Sequence, residues 1–413
     1  MSKVKKYIRK GAITLKNEGV ISTGIKTLQK IQKIQSGRTE KPDRKIQYTS
    51  LVSRDDVMHA DWSSNPYTPD TRVRHSAPYV INWIMSPPSS GGGHQNIFRF
   101  IEFLDKAGHK NNVYLYSEHD DMSISQARDN VKAYCSAENL EFYRYGKKLI
   151  EGDVLFATGW ETAYPVFNEE SDIRKMYFIQ DFEPLFYPMG TDYILAENTY
   201  KFGFHGITAG GWLDNKLSHE YNMKCDHYDF GADPANYKFT NRGNRKQIFF
   251  YARPVTERRG FDLGVMALQI FHEKMPDYEI VLAGWDVSGW NIPFPYTNLK
   301  TLKIEQLSDV YNQSAAALVL SLTNMSLLPL ELLATGTIPI VNDGPNNRLV
   351  SDNPYINYTD ASPEALANAL IKTVTQKDLP AYAEKASKSV SKNGWEVAGK
   401  KFISILEKEL KNV

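Results

Sequence analysis

Two successive series of apolar strands alternating with amphipathic helices constrain this chain more than any other feature. The first opens with a β-rich run at residues 79–85 and a Pro87-Pro88-Ser89-Ser90-Gly91-Gly92-Gly93 loop. Ile97, Phe100, Ile101 and Leu104 follow at helical spacing, Gly108 stops that helix, and a strand is expected at 113–116. Further strands are expected at 154–157, 175–180 and 206–209. The second series has strands at 247–251, 278–283, 315–320 and 338–341, with helices at 261–271 and 328–334. Such repetition predicts an α/β protein with two doubly wound, Rossmann-like domains facing a central cleft. We place a basic, partly helical extension at 1–45, a first domain at 46–225, a second at 226–394, and a C-terminal helix at 395–413 crossing back to the first. Ser362-Pro363, an N-cap serine before a first-turn proline, starts a largely helical end.

Composition narrows the class. The longest nearly apolar stretch, 315–322, is far short of the ~20 residues of a membrane-spanning helix. Lys3, Lys5, Lys6 and Arg9 are not followed by an apolar signal segment, and Cys135 and Cys225 are the only cysteines. These features predict a cytoplasmic protein without a disulfide framework or thiolate zinc site. The net charge of +1 hides an asymmetry, since residues 1–45 hold 13 Lys and Arg against 3 acids. Ile21, Ile25, Leu28, Ile31 and Ile34 lay an apolar stripe along that arm. It reads either as a helix docked on its own protein or as a contact with the inner face of the plasma membrane through anionic lipid. Nucleic acid is not an expected partner.

Several residues carry chemistry. Gly91-Gly92-Gly93 lies between strand and helix, where backbone can approach an anionic ligand, and His94 would point from the helix start into the cleft. The loop lacks both the G-x-G-x-x-G spacing and the Lys-Ser/Thr of a P-loop. Arg253 ends a strand and Arg259 precedes a helix, so the two cations can converge on a diphosphate. The segment from Ser321 to Val341 reads as strand end, polar loop, helix with Glu331, glycine stop and strand, and turns the N–H groups near Ser326 and Leu327 toward the cleft. Asp181 and Glu183 follow a strand and suit acceptor hydroxyls or proton removal, although Asp-x-Glu also reads as a capping turn or a metal pair. Trp160 and Glu161 offer an aromatic face and a carboxylate to a sugar, unless the ring is packing. His219, Cys225 and His227 fit no common zinc spacing, and His119-Asp120-Asp121 reads as a solvated loop.

The run Glu331-Leu332-Leu333-Ala334-Thr335-Gly336-Thr337-Ile338-Pro339 resembles the donor-binding signature of the retaining GT-B glycosyltransferases of family four. That signature is a glutamate, seven residues, a second glutamate, then Ala-x-x-Gly-x-Pro-x-Val. Glu331 matches the second glutamate, and Thr323 stands at the first. Phe230-Gly231-Ala232-Asp233, Arg253 and Arg259 match other family positions in order. A second segment, Gln180-Asp181-Phe182-Glu183-Pro184-Leu185-Phe186-Tyr187-Pro188, is similar to one in bacterial rhamnosyltransferases.

The resemblance implies a GT-B fold and a metal-independent, retaining transfer of L-rhamnose from dTDP-β-L-rhamnose to a growing, lipid-linked or oligosaccharide rhamnan of a bacterial surface (S-layer) glycan. No cofactor is expected. It assigns the nucleotide and diphosphate to Arg253, Arg259, Ser326, Leu327 and Glu331. Our reading of the residues themselves gives the donor sugar to Thr323, Asn324, Gly92 and Gly93 and the acceptor cleft to His94, Trp160, Glu161, Asp181 and Glu183, with Asp181, Arg253 and Arg259 catalytic. In the family the first glutamate contacts the transferred sugar, so Thr323 is a departure. A nucleotide-sugar epimerase of the same architecture and a non-catalytic glycan-binding or membrane-adaptor protein are the alternatives.

Overall fold

The structure is a computed structural model that describes residues 50–411, apart from 71, 74, 90, 147, 148, 392 and 393. The basic arm at 1–45 therefore lies outside the described residues.

Seven parallel strands form the first sheet: β1 (Val80–Met85), β2 (Lys110–Leu115), β3 (Leu140–Arg144), β4 (Val154–Ala157), β5 (Arg174–Ile179), β6 (His205–Ala209) and β7 (Cys225–Tyr228), in the order β3-β2-β1-β4-β5-β6-β7. Six parallel strands form the second: β8 (Gln247–Tyr251), β9 (Glu279–Ala283), β10 (Thr297–Lys300), β11 (Ser314–Val319), β12 (Ile338–Asn342) and β13 (Asn357–Thr359), in the order β10-β9-β8-β11-β12-β13. Helices cover both faces, so inner strands such as β4 and β11 are buried along their whole length.

Each sheet reverses its strand order once, between β1 and β4 in the first and between β8 and β11 in the second. Helices there leave on opposite faces, and a crevice opens beyond the carboxyl ends of the strands. Ser86, Thr158 and Gln180 follow β1, β4 and β5, whereas Ala252 and Leu320 follow β8 and β11. Every loop singled out for chemistry leaves one of these ends.

The final helix, Trp395–Lys411, packs on the first domain. Phe402 joins a cluster with Trp83, Phe100, Phe156 and Phe178, with ring centroids 4.8 to 6.2 Å from its own. A Cβ at Gly399 would lie 2.5 Å from the Phe103 ring, so only glycine lets this helix settle on Gly92–Lys106. Below the sheet, Glu409 binds Arg174 at 2.9 Å, His205 at 2.8 Å and Lys224 at 2.6 Å.

Candidate active site

The first-domain wall begins where β1 runs into Ser86. Gly91 caps the helix Gly92–Lys106, and His94 in its first turn lies between Ser86 and Ser89. The Ser89 N–H donates to Nδ1 at 3.2 Å, which leaves the proton on Nε2, 3.2 Å from Ser86 Oγ. Burial lowers the imidazole pKa to about 4, so His94 is neutral at physiological pH. A cavity of about 150 Å³ opens here between Ser86, Gly93, His94, Ile97, Thr158 and Gln180. Gly93 accepts at its carbonyl from Gln180 Nε2 at 3.1 Å. Gly92 is exposed, and a Cβ on it would meet nothing within 4 Å, so protein packing does not explain that glycine.

Three acceptor-side expectations are corrected. Trp160 does not present its face to the cleft: it is 1% exposed, with Nε1 donating to the Tyr187 hydroxyl at 3.0 Å. Its helix starts directly after β4, which swings the indole inward. Glu183 is also buried, accepting from Trp160 N at 2.5 Å and from the Tyr177 hydroxyl at 3.1 Å. Burial and then the neighbouring Glu161 carboxyl push its pKa well above the carboxylate range. It therefore holds the Trp160 helix start rather than an acceptor. Glu161 is half-buried and folds over its own helix start, where a Cβ at Gly159 would be 2.7 Å from Oε2. Burial raises its pKa as well.

Asp181 differs most from expectation, because it is not a free base in the cleft. Its Oδ1 accepts from Phe182 N and from Asn324 N of the second domain, both at 2.9 Å. Oδ2 accepts from Thr323 Oγ1 at 2.8 Å, with Arg258 Nε 3.6 Å away. Asn324 Nδ2 donates to the carbonyls of Gln180 at 3.0 Å and Ala209 at 2.8 Å, stitching the walls together. Thr323 is 2% exposed with its hydroxyl turned to Asp181, so it does not itself present a group to a sugar.

The second-domain wall is cationic. Arg253 Nη1 donates to the Gly284 carbonyl at 3.3 Å and the guanidinium lies 5.6 Å from the Trp285 ring centre. Arg259 Nη1 donates to Ser321 Oγ at 2.6 Å. Burial and then the nearby Arg258 depress the Arg259 pKa, with Arg253 acting the same way and Asp181 against it. Arg258 itself stacks on Phe186 of the first domain at 4.1 Å. Ser326 Oγ, at the start of the helix Leu328–Ala334, is buried without a hydrogen-bond partner, and Leu327 caps that helix. Glu331, one turn in, is half-buried and hydrogen-bonded to Tyr237; burial raises its pKa to about 7 against the pull of Arg99. Among the described residues no group of three or more His, Cys, Asp or Glu side chains is placed to hold a metal ion.

Comparison with known families fits this two-walled arrangement. Residues 104–209 match the N-terminal domain of WsaF and residues 246–371 match its C-terminal domain, together more than half of the chain. The chain belongs to the WsaF family. A curated relative, the O-antigen biosynthesis protein RfbC of Myxococcus xanthus, is 32% identical over 252 residues, 59% of this chain. The chain spans about a fifth of that relative's length. Among solved structures, a glycosyltransferase of Rickettsia africae superposes with a TM-score of 0.61 at 13% identity, covering 82% of this chain and 100% of its own. HepE of Anabaena, solved with UDP-glucose, gives 0.62 at 11% identity, covering 80% and 100%. The fold is GT-B, shared with glycosyltransferases.

In this WsaF-family chain, sequence reading missed Arg258, Arg99, Tyr237 and Asn96. Arg258 had a signal as half of the Arg258-Arg259 doublet, and Arg99 as the one cation inside Ile97-Phe98-Arg99-Phe100. Asn96, which donates to the Tyr228 hydroxyl at 2.8 Å and to Gln180 Oε1 at 3.0 Å, had none.

Proposed function

We propose that this chain is a retaining, metal-independent glycosyltransferase that moves L-rhamnose from dTDP-β-L-rhamnose to a growing rhamnan of a bacterial cell-surface glycan. Membership of the WsaF family and the GT-B fold support a nucleotide-sugar donor and a glycan acceptor. The observation that carries the reading is the meeting of Arg253, Arg258 and Arg259 beyond the strand ends of the second sheet. Burial, Arg258 and Arg253 together depress Arg259, and the carboxylate of Asp181 opposes them. A diphosphate supplies the missing negative charge. Glu331 then takes a hydroxyl of the nucleotide's sugar, and the Ser326 hydroxyl with the amides beside it faces the phosphates.

The chemistry follows from that placement. The acceptor oxygen bonds to the anomeric carbon from the face that the diphosphate leaves, as the bond from that carbon to the phosphate oxygen breaks. The acceptor's proton passes to the departing diphosphate, and no protein nucleophile is needed. The arginines stabilise the charge that develops on the leaving group. Neutral His94, its Nδ1 occupied by the Ser89 N–H, turns its Nε2 donor toward Ser86 and the cavity beside Gly93, where it can donate to a hydroxyl. No helix of the described residues is long and apolar enough to cross a membrane. Contact with a lipid-linked acceptor at the inner membrane face would then fall to the basic arm of residues 1–45.

Calorimetric titration with dTDP, UDP and GDP, each with and without EDTA, tests donor, base and metal together. Preferential dTDP binding indifferent to EDTA is the expected result. Failure to bind any of the three removes the donor site. Anomeric configuration is read by NMR of the product from dTDP-β-L-rhamnose, and inversion would overturn the retaining course.

A further inference from the structure

The sequence resemblance leaves one place unfilled, because Thr323 stands where a glutamate would put a carboxylate beside the transferred sugar. At that residue the structure brings in a carboxylate of the other domain. Thr323 Oγ1 donates to Asp181 Oδ2 at 2.8 Å, and the amide of Asn324 donates to Oδ1 at 2.9 Å. A carboxylate has about four acceptor sites. Oδ1 uses both of its own on Phe182 N and Asn324 N, while Oδ2 uses one on Thr323 and keeps one. That remaining site lies on the side of Arg258, whose Nε is 3.6 Å away and has no hydrogen-bond partner. The Asp181 side chain is 12% exposed, whereas Thr323 is buried, so the carboxylate and not the hydroxyl reaches the cleft.

We infer that Asp181 of the first domain supplies the carboxylate that contacts the donor sugar, and that Thr323 and Asn324 of the second domain are positioning residues that aim it. The inference rests on the donor-site reading above and adds which domain recognises the sugar. It has a mechanical consequence. Nucleotide is gripped by the second domain alone, but the sugar is gripped only while both domains are together, because its carboxylate comes from one and its alignment from the other. A glutamate at position 323 would carry no such condition.

The test compares dTDP with dTDP-β-L-rhamnose by calorimetry on the full chain. The wild-type protein should bind the sugar nucleotide about tenfold tighter than dTDP, the scale of one charge-assisted hydrogen bond. Asp181→Asn should keep its dTDP affinity and lose that tenfold increment. Thr323→Val, which removes only the aiming hydroxyl, should lose roughly three- to fivefold of it. Thr323→Glu should be poor beside an intact Asp181, since two carboxylates would crowd one site, yet Asp181→Asn/Thr323→Glu should regain the increment. Melting curves confirm that each variant is folded, and Thr323→Val keeps the test open should Asp181→Asn unfold. Equal weakening of dTDP and sugar nucleotide by Asp181→Asn and Thr323→Val would reduce the pair to an inter-domain tie and overturn the inference. A double variant no better than Asp181→Asn alone would do the same. Absence of dTDP binding to the wild-type protein would instead sink the donor site itself.

Discussion

Two glutamates in different parts of the molecule, Glu409 buried and Glu331 half-buried, are pushed in opposite directions. Glu409, on the C-terminal helix beneath the first sheet, would be raised by burial, yet hydrogen bonds from His205 and Lys224 hold it at about 2. Glu331, in the cleft, is raised by burial to about 7, and Arg99 and Tyr237 only partly oppose that. The polar groups around them differ likewise. Near Glu409, His205 spends both ring nitrogens, on Glu409 at 2.8 Å and Asp226 at 2.9 Å, and only Arg174 Nη2 is unpartnered. Around the cleft, Asn96 Oδ1, Asn324 Oδ1, Ser326 Oγ and Arg258 Nε all lack partners. A cluster that meets its own needs holds the fold together, whereas one left with spare donors, acceptors and charge is arranged for something that arrives.

The largest effect expected from this contrast falls on stability. Glu409→Ala leaves Arg174 buried with no carboxylate, and breaking a buried pair in this way costs about 3–5 kcal/mol. A urea melt should show that loss. Because the folded-state pKa of Glu409 lies below its unfolded value, its contribution is complete above about pH 4.5 and is lost as pH falls toward 2, roughly 3 kcal/mol in all. Wild-type protein should lose that increment between pH 4.5 and 2, and the variant should not. An alanine variant as stable as wild type would mean the cluster does not hold the C-terminal helix.

Next comes Arg259→Ala, the same kind of deletion on the other side of the contrast. It should lower turnover by about two orders of magnitude, or ~3 kcal/mol of leaving-group stabilisation, while the melting temperature stays within a few degrees. A large drop in stability with little change in turnover would reverse the distinction between the two clusters.

How much of this was legible follows the same physics. The nine inner strands were all readable, because a parallel strand covered on both faces carries a short apolar run even where it begins with polar residues, as β2 and β5 do; Val154–Ala157 and Gln247–Tyr251 even have their expected bounds. The four that sequence reading missed are β3, β7, β10 and β13, the two edges of each sheet. Edge strands such as Cys225-Asp226-His227-Tyr228 and Thr297-Asn298-Leu299-Lys300 are half-solvated and carry no such pattern. At the site, positions relative to strand ends were legible, which is why Arg253, Arg259 and Glu331 line one wall and Gly93, His94 and Asp181 the other. Side-chain direction was not. Trp160 turned inward and Glu183 became a helix anchor because Trp160 N, a free helix-start donor, needed an acceptor. The Asp181 bond to Thr323 joins residues 142 apart in sequence, and no local pattern foretells it.

A smaller effect sharpens the contrast at Glu331. Its folded-state pKa lies above the unfolded value, so the folded chain holds a proton that the unfolded chain releases between pH 4.5 and 7. Glu331 therefore costs stability as pH rises from about 4.5 to 7, roughly 3 kcal/mol in all. Glu331→Gln should melt a few degrees higher than wild type at pH 8. It should also bind dTDP about tenfold more weakly there, because an amide accepts less strongly from a sugar hydroxyl than a carboxylate does. If the variant gains no stability at pH 8, folding does not disfavour the carboxylate and the contrast with Glu409 fails.

The smallest expected effect concerns Arg99, which stacks on Trp395 at 4.0 Å and is the cation acting on Glu331 from the first domain. Tyr237, Asp233 and Tyr311 of the second domain also bear on that carboxyl, the first by hydrogen bond and Asp233 as a like charge. Arg99→Met keeps much of the apolar contact with Trp395 and removes the charge, so the Glu331 pKa should rise further. In wild type the carboxylate form grows in as pH passes through 7, and dTDP affinity should rise with it; in the variant the same rise should come later. Titration of dTDP from pH 6 to 9 separates this from simple damage, with Glu331→Gln supplying the baseline set by titration of the phosphates themselves. A variant weakened several-fold at pH 7 that recovers by pH 9 places Arg99 behind Glu331 as its counter-charge. Weakening by the same factor at every pH would mean that Arg99 touches the nucleotide or holds the domains together, and that the high pKa of Glu331 is a matter of burial alone.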